Sequence, residues 1–250
     1  MKDHSMRNAL LRPVSHDSPL LNLLDISLTE KQMNASLIPG TSPSIFRLGP
    51  SPEVDKAWQR IGDIRPVAIT RDDVVKLGKD AELAIKYPAS FGFGDDAYIG
   101  RLDVLHQIHC LDALRREANF DYYYRSTWPD GLESATQLHR LHLTHCTYLL
   151  LENIMCNANL EVYTHFWYRD TNGPFADFNV NKKCRDFDAI LDWQNRNAVE
   201  MELYNTIENP GLGEWMSPEL RAVFDEEWNT FHNDATGAAG QKNGAHDHGG

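Results

Sequence analysis

Two short segments carry the same chemistry-bearing pattern. His106-Gln107-Ile108-His109-Cys110 and His142-Leu143-Thr144-His145-Cys146 both read His-x-x-His-Cys. Residues three and four apart on a helix are neighbours on one face. Each segment, if helical, therefore offers two imidazoles to one ion, with the sulfur of the following cysteine pointing the same way. Two such helices packed face to face would bring four imidazoles and two sulfurs into one shared space. Imidazole-rich sites suit copper, zinc, iron or nickel. His139 adds a further imidazole in step with His142 and His145. A lone histidine such as His139 or His165 more often reads as a packed, hydrogen-bonded core residue.

Other metal and nucleophile chemistries fall away by absence. The chain has no Glu-x-x-His, no His-Glu-x-x-His, no Cys-x-x-Cys and no Gly-x-Ser-x-Gly. These gaps argue against a di-iron carboxylate bundle, a zincin, a Cys-based zinc finger and a hydrolase elbow. Gly92-Phe93-Gly94 continues into Asp95-Asp96 and so lacks the form of a phosphate loop. The four cysteines, Cys110, Cys146, Cys156 and Cys184, have two readings: thiolate ligands, or disulfides clamping the helices. Cys146 and Cys156 lie about 15 Å apart along one expected helix and cannot bond each other. The equivalent places of Cys110 and Cys146 in the two motifs favour that pair, which leaves Cys156 with Cys184; the other pairing stays open.

The elements that must position these groups are mostly helices. Helices are expected over 53–62, 70–78, 81–87, 98–118, 132–157, 186–199 and 217–231. Ile99, Leu102, Leu105, Ile108, Leu111 and Leu114 recur at steps of three along the first motif-bearing helix. Leu138, Leu141, Leu149, Ile154 and Met155 are read as the apolar stripe of the second. Only 161–170 concentrates β-branched and aromatic residues. The expected fold is mainly α, with the two motif helices face to face around a metal site and at most a small β element. Residues 1–50 read as an extended or mobile arm, 51–233 as one helical domain, and 234–250 as a disordered tail with no apolar residue larger than Ala.

Composition limits the partners. The 250 residues carry 24 Lys and Arg against 36 Asp and Glu, a formal charge of −12, which disfavours nucleic acid and anionic membrane surfaces. No run of about 18 apolar residues occurs, and the chain as read is expected to be soluble. Asn34-Ala35-Ser36 is a glycosylation sequon, usable only in a secretory compartment.

The ordered blocks HQIHCLDALRR (106–116), HLTHCTYLLLENIMC (142–156), PFADF (174–178) and CRDFDAILDWQ (184–194) resemble the fungal UstYa-type oxidases of secondary-metabolite pathways. The resemblance runs from about Leu102 to Val199. It implies oxidative tailoring by copper: hydroxylation, dehydrogenation, oxidative cyclisation or halogenation, with O2 and a reductant, on a small-molecule or peptide natural product. It implies His106, His109, His142 and His145 as copper ligands and catalytic residues, holding one or two ions, with His139 as a further metal ligand. It also implies a secretory lumen, where paired cysteines fit, reached in most members by an N-terminal membrane anchor that this chain as read does not show. Leu151, Asn159 and Lys182 stand where the family usually has Arg, Asp and His. Arg115 and Asp112 are placed to orient imidazoles or to form a surface ion pair. The aromatics of 121–128 and 163–168 could wall a pocket or pack in the core. Asp177, Asp186 and Asp188 could meet substrate, with helix capping the competing role for Asp186. Two rival readings remain: a non-catalytic helical binding protein stapled by zinc or disulfides, and a metal-free dehydratase or cyclase using histidine as acid and base. Homo-oligomerisation is left open.

Overall fold

The computed structural model describes residues 7–38, 40–169 and 172–211, together with Pro218, Arg221 and Ala222. The helix expected at 217–231 and the tail expected at 234–250 lie outside these residues, apart from those three isolated positions. Helices dominate, joined by three two-stranded antiparallel sheets. No helix among the described residues is long and apolar enough to cross a membrane.

The chain divides into two compact units. The first gathers 65–103 with parts of the ends, 7–49 and 153–211. Here α1 (Leu20–Leu23) buries Leu20 and Leu21, and β1 (Leu28–Gln32) pairs with β6 (Asn181–Arg185), Leu28 opposite Arg185. Residues 7–49 thus carry a short helix and a strand. β2 (Val67–Ile69) pairs with β3 (Tyr98–Gly100). At Gly100 a Cβ would come within 3.1 Å of Ile69 Cγ2, so the bare backbone lets that side chain lie across it. α3 (Arg71–Lys76) starts with a capping box between Thr70 and Asp73. β4 (Thr164–Phe166) and β5 (Phe175–Asp177) form the third ladder. α7 (Phe187–Asn197) begins at Asp186, whose carboxylate accepts from Ala189 N at 2.9 Å, so the capping role holds. Tyr98, Val74 and Ala81 form one buried cluster, Tyr87, Ala97 and Val199 another. A short helix, Met201–Tyr204, follows.

Three sequence expectations are corrected here. Residues 81–87 are not a helix. Asp80 Oδ1 accepts from Glu82 N, the segment turns, and Lys86 bridges to Tyr98. The helix expected from 98 begins only at Asp103, because Tyr98, Ile99 and Gly100 are taken up by the ladder with β2. The helix expected from 132 is a 3-10 turn over Leu132–Ser134, and the regular helix starts at Gln137. Five strands fall outside the one strand-like segment, each held by pairing rather than by its own composition.

The second unit comprises 50–64 and 104–152 among the described residues, with Pro218, Arg221 and Ala222. Its elements are α2 (Pro52–Gly62), α4 (Asp103–Glu117), α5 (Phe120–Tyr123) and α6 (Gln137–Asn157). α2 starts at Ser51, whose hydroxyl accepts from Val54 N at 3.3 Å, with Pro52 in the first turn. It buries Val54 and Trp58, and Gly62 lets it approach α4: a Cβ there would sit 3.3 Å from Ile108 Cγ2. Arg115 is the joint between these elements. It donates to Asp112 at 2.6 Å, Asp55 at 2.9 Å and the Tyr123 hydroxyl at 2.7 Å, and lies over the rings of Trp58 and Tyr123. Arg116 takes the second oxygen of Asp112 at 2.8 Å. Asp112 and Arg115 side chains keep only 15% and 13% of their surface, so this is a largely enclosed network and not a surface ion pair.

Removing Arg115 would leave Asp112 with Arg116 alone and Asp55 with only the Tyr123 hydroxyl in that enclosure. Arg115→Ala is expected to cost about 2 kcal/mol in urea unfolding, in line with charged hydrogen bonds of ~1.5–3 kcal/mol. Arg115→Lys should recover only part of the loss, because one ammonium cannot reproduce the fork that meets Asp112, Asp55 and Tyr123. Equal stability of all three proteins would contradict this role.

Candidate metal centre

Both motifs lie wholly within helices, the first on α4 and the second on α6. The imidazoles meet crosswise. His106 faces His145 with ring centroids 5.6 Å apart, and His109 faces His142 at 5.5 Å. The first histidine of each motif therefore meets the last of the other, as two helices running antiparallel past each other require. Side chains lean toward their helix N-terminus, so Cys110 and Cys146 both lean back toward the crossing. Cys110 and Cys146 are fully buried. Cys110 Sγ lies 3.8 Å from His106 Nε2, and Cys146 Sγ 3.4 Å from His142 Nε2.

His106, Cys110 and His145 form a three-donor group whose ligand atoms all lie within 4.8 Å of one another. Its floor is the buried Cys110, His106 is half-buried, and His145 is exposed. The group thus opens to solvent on the α6 side. His142, Cys146 and His109 show ring and sulfur contacts of similar length, but among the described residues only the first trio brings its three donor atoms within 4.8 Å of one another. All four cysteines are thiols in this structure; Cys156 is exposed at the end of α6, and Cys184 is half-buried in β6.

Burial sets the protonation of the group. It pushes the His142 imidazole down to about 4, helped by the charges of His109, His145, His139 and His106, and lowers His109 as well. Neutral imidazoles are the form that binds a metal. A hydrogen bond from Cys146 lowers the Cys110 thiol to about 5 against the opposing effect of burial, with the His106 hydrogen bond adding to it. The same bond raises Cys146, so the pair gives up one proton readily and holds the other.

His139 stands apart from the three-donor group. Its Nε2 lies 3.1 Å from Glu117 Oε2, and its ring packs on Trp128 at 4.5 Å and Tyr124 at 5.0 Å between centroids. With Glu117 accepting from Nε2, only Nδ1 of His139 is left as a donor atom to a metal. Glu117 carries no motif signal in the sequence; its place about two helical turns beyond Cys110 matters only once α4 and α6 meet. Asp112 accepts from Arg115 and Arg116, and Arg115 turns to Asp55 and Tyr123. Trp128 belongs to the packing around His139, while Tyr163, His165, Phe166 and Trp167 are exposed on the β4–β5 hairpin. Asp177 accepts from Asn179, both from its backbone and its side chain.

A family profile described as "Mycotoxin biosynthesis protein UstYa" matches residues 2–197. The oxidase aprY of Aspergillus flavus, named a UstYa family oxidase, is 42% identical over 207 residues, covering 82% of this chain and 62% of its own length. The UstYa family oxidase phomYc of Diaporthe leptostromiformis is 31% identical over 192 residues, covering 76% of this chain and 72% of its own. A protein named hydroxylase cctR from Talaromyces islandicus is 28% identical over 100 residues, 39% of this chain and 33% of its own. No solved structure matches the chain.

The depressed His142 gives the metal-free protein a definite pH dependence. Below its ordinary value of 6.5 the unfolded chain takes a proton that the folded site refuses. The contribution is therefore complete above about 6.5 and is lost as pH falls toward about 4. Urea unfolding of chelator-treated wild type and His142→Gln should show the wild type losing stability relative to the variant across that window. A difference that stays constant, or grows as pH falls, would contradict the buried neutral imidazole.

Proposed function

The chain belongs to the UstYa family of mycotoxin-biosynthesis proteins, and from that footing we infer that it is a copper-dependent oxidase tailoring a natural product in a fungal pathway. The observation that carries the reading is the crosswise cluster of imidazoles and thiols between α4 and α6. Its donor set fits copper: imidazole nitrogen suits both copper oxidation states, and thiolate favours Cu(I). His106, Cys110 and His145 would hold one ion, and His142, Cys146 and His109 a second at the related position. Copper, when bound, supplies one-electron exchange with O2, which imidazole and thiol alone do not.

The chain's own residues do the rest. Burial keeps His109 and His142 unprotonated, so they present lone pairs at neutral pH. The shared proton between the two cysteines lets one sulfur bind as thiolate without leaving a second uncompensated charge. Glu117 fixes which nitrogen of His139 carries its proton. The exposed flank at His145 is the side from which a substrate, O2 and a reductant reach the buried sulfurs. The substrate is a small-molecule or peptide natural product, and the protein works in a secretory lumen. A zinc staple draws on the same trio, since zinc also takes two histidines and a cysteine.

Elemental analysis of protein folded under oxidising conditions separates these readings. One or two coppers per chain are expected, falling on His109→Ala or His145→Ala, together with O2-dependent turnover that a chelator abolishes and added copper restores. Stoichiometric zinc that copper cannot displace would support the staple and overturn the oxidase. Turnover that survives complete chelation would overturn it in favour of acid–base chemistry.

A further inference from the structure

We propose that Asn34 is an N-glycosylation site, taking an oligosaccharide from a lipid-diphosphate donor. Asn34-Ala35-Ser36 is the chain's one Asn-x-Ser/Thr sequon with x other than proline. The fold presents it at the surface. The β1–β6 ladder ends with Gln32 opposite Asn181 and is continued by Met33 N donating to Val180 O at 2.9 Å. The chain then turns, with Asn179 Oδ1 accepting from Ala35 N at 2.8 Å and Ser36 N at 3.0 Å. Arg47 holds the far side, donating to the carbonyls of Ser36 at 2.7 Å and Leu37 at 2.9 Å. The turn is thus pinned through its backbone from both sides. The Asn34 side chain is exposed, and no hydrogen bond among the described residues engages its carboxamide.

That combination is what a glycosylated asparagine needs. Transfer takes place on the unfolded chain, so the native bonds at Ala35 and Ser36 do not oppose it; the fold must only leave room for the sugar afterwards. In the transfer the Asn34 Nδ2 forms a bond to the anomeric carbon of the donor. The bond from that carbon to the diphosphate oxygen breaks, the lipid diphosphate leaves, and the amide gives up one proton. The attached sugar would stand at the end of β1, a strand exposed along its whole length and open on one edge. It would also stand beside the exposed Leu37 and Ile38. Bulky, hydrated groups at such edges block strand addition from a second chain.

The test uses the protein isolated from its own cells. Peptide N-glycosidase treatment is expected to increase its mobility by one step and to leave aspartate at position 34 in the peptide mass spectrum. Asn34→Gln and Ser36→Ala should each remove that step, and Ser36→Thr should keep it, with folding and activity unchanged. A second sequon completed at Asn159 by Glu161→Thr serves as the control for entry into the lumen. A glycan at Asn159 with bare asparagine at 34 would overturn the site. Bare asparagine at both would overturn it equally, by showing that the chain does not meet the transferase.

Discussion

Nitrogen and sulfur groups shut between two helices must satisfy one another or a ligand, because water cannot do it for them. In this chain that constraint falls on the crossing of α4 and α6, where two thiols are fully buried and burial lowers the protonation of His109 and His142. An ordinary core would fill the crossing with leucine. Here the leucines have been displaced outward: Leu111 keeps 48% of its surface, Leu141 44% and Leu151 50%. The helices pack through their polar face, and that face makes sense when a soft, multidentate ligand completes it.

The rest of the helical unit keeps the crossing in register. Arg115 ties α2 and α5 to α4 through two carboxylates and a phenol, on the side of α4 that Cys110 does not occupy. Gly62 removes the one side chain that would hold α2 away from Ile108. Glu117 reaches from the last turn of α4 to His139 on the first turn of α6, and Trp128 closes over the same ring. The ties hold the helices within and just beyond the motifs, and none touches the three closest donor atoms. Such ties set ligand geometry by holding the backbone, as outer contacts of metal sites generally do.

The site was more legible in the sequence than the fold around it. The repeated His-x-x-His-Cys carries its geometry in its spacing, since three- and four-residue steps share a helical face whatever the surroundings. The apolar stripes misled for a related reason. A strict step of three falls short of the 3.6-residue turn by about 60° each time, so Leu105 and Leu111 cannot share one face. Leu105 is buried and Leu111 exposed, and likewise Leu138 is buried while Ile154 and Met155 face out. Five of the six strands among the described residues were missed because three-residue ladders such as Val67–Ile69 with Tyr98–Gly100 are specified by a partner over 25 residues away, not by local pattern. The tie between Glu117 and His139 is of the same kind, formed by residues 22 apart in sequence.

The central claim is that one ion is held across the two helices, by groups neither helix supplies alone. Copper affinity of wild type, His106→Ala, His145→Ala and the double variant measures it directly. The account predicts that each single change weakens binding by at least about tenfold, the lower end for perturbing a metal's surroundings. It also predicts that the double change costs much less than the two single losses combined, because either one already breaks the site. Fully additive losses, or loss from the α4 change with none from the α6 change, would mean that the helices bind metal separately and would contradict the account.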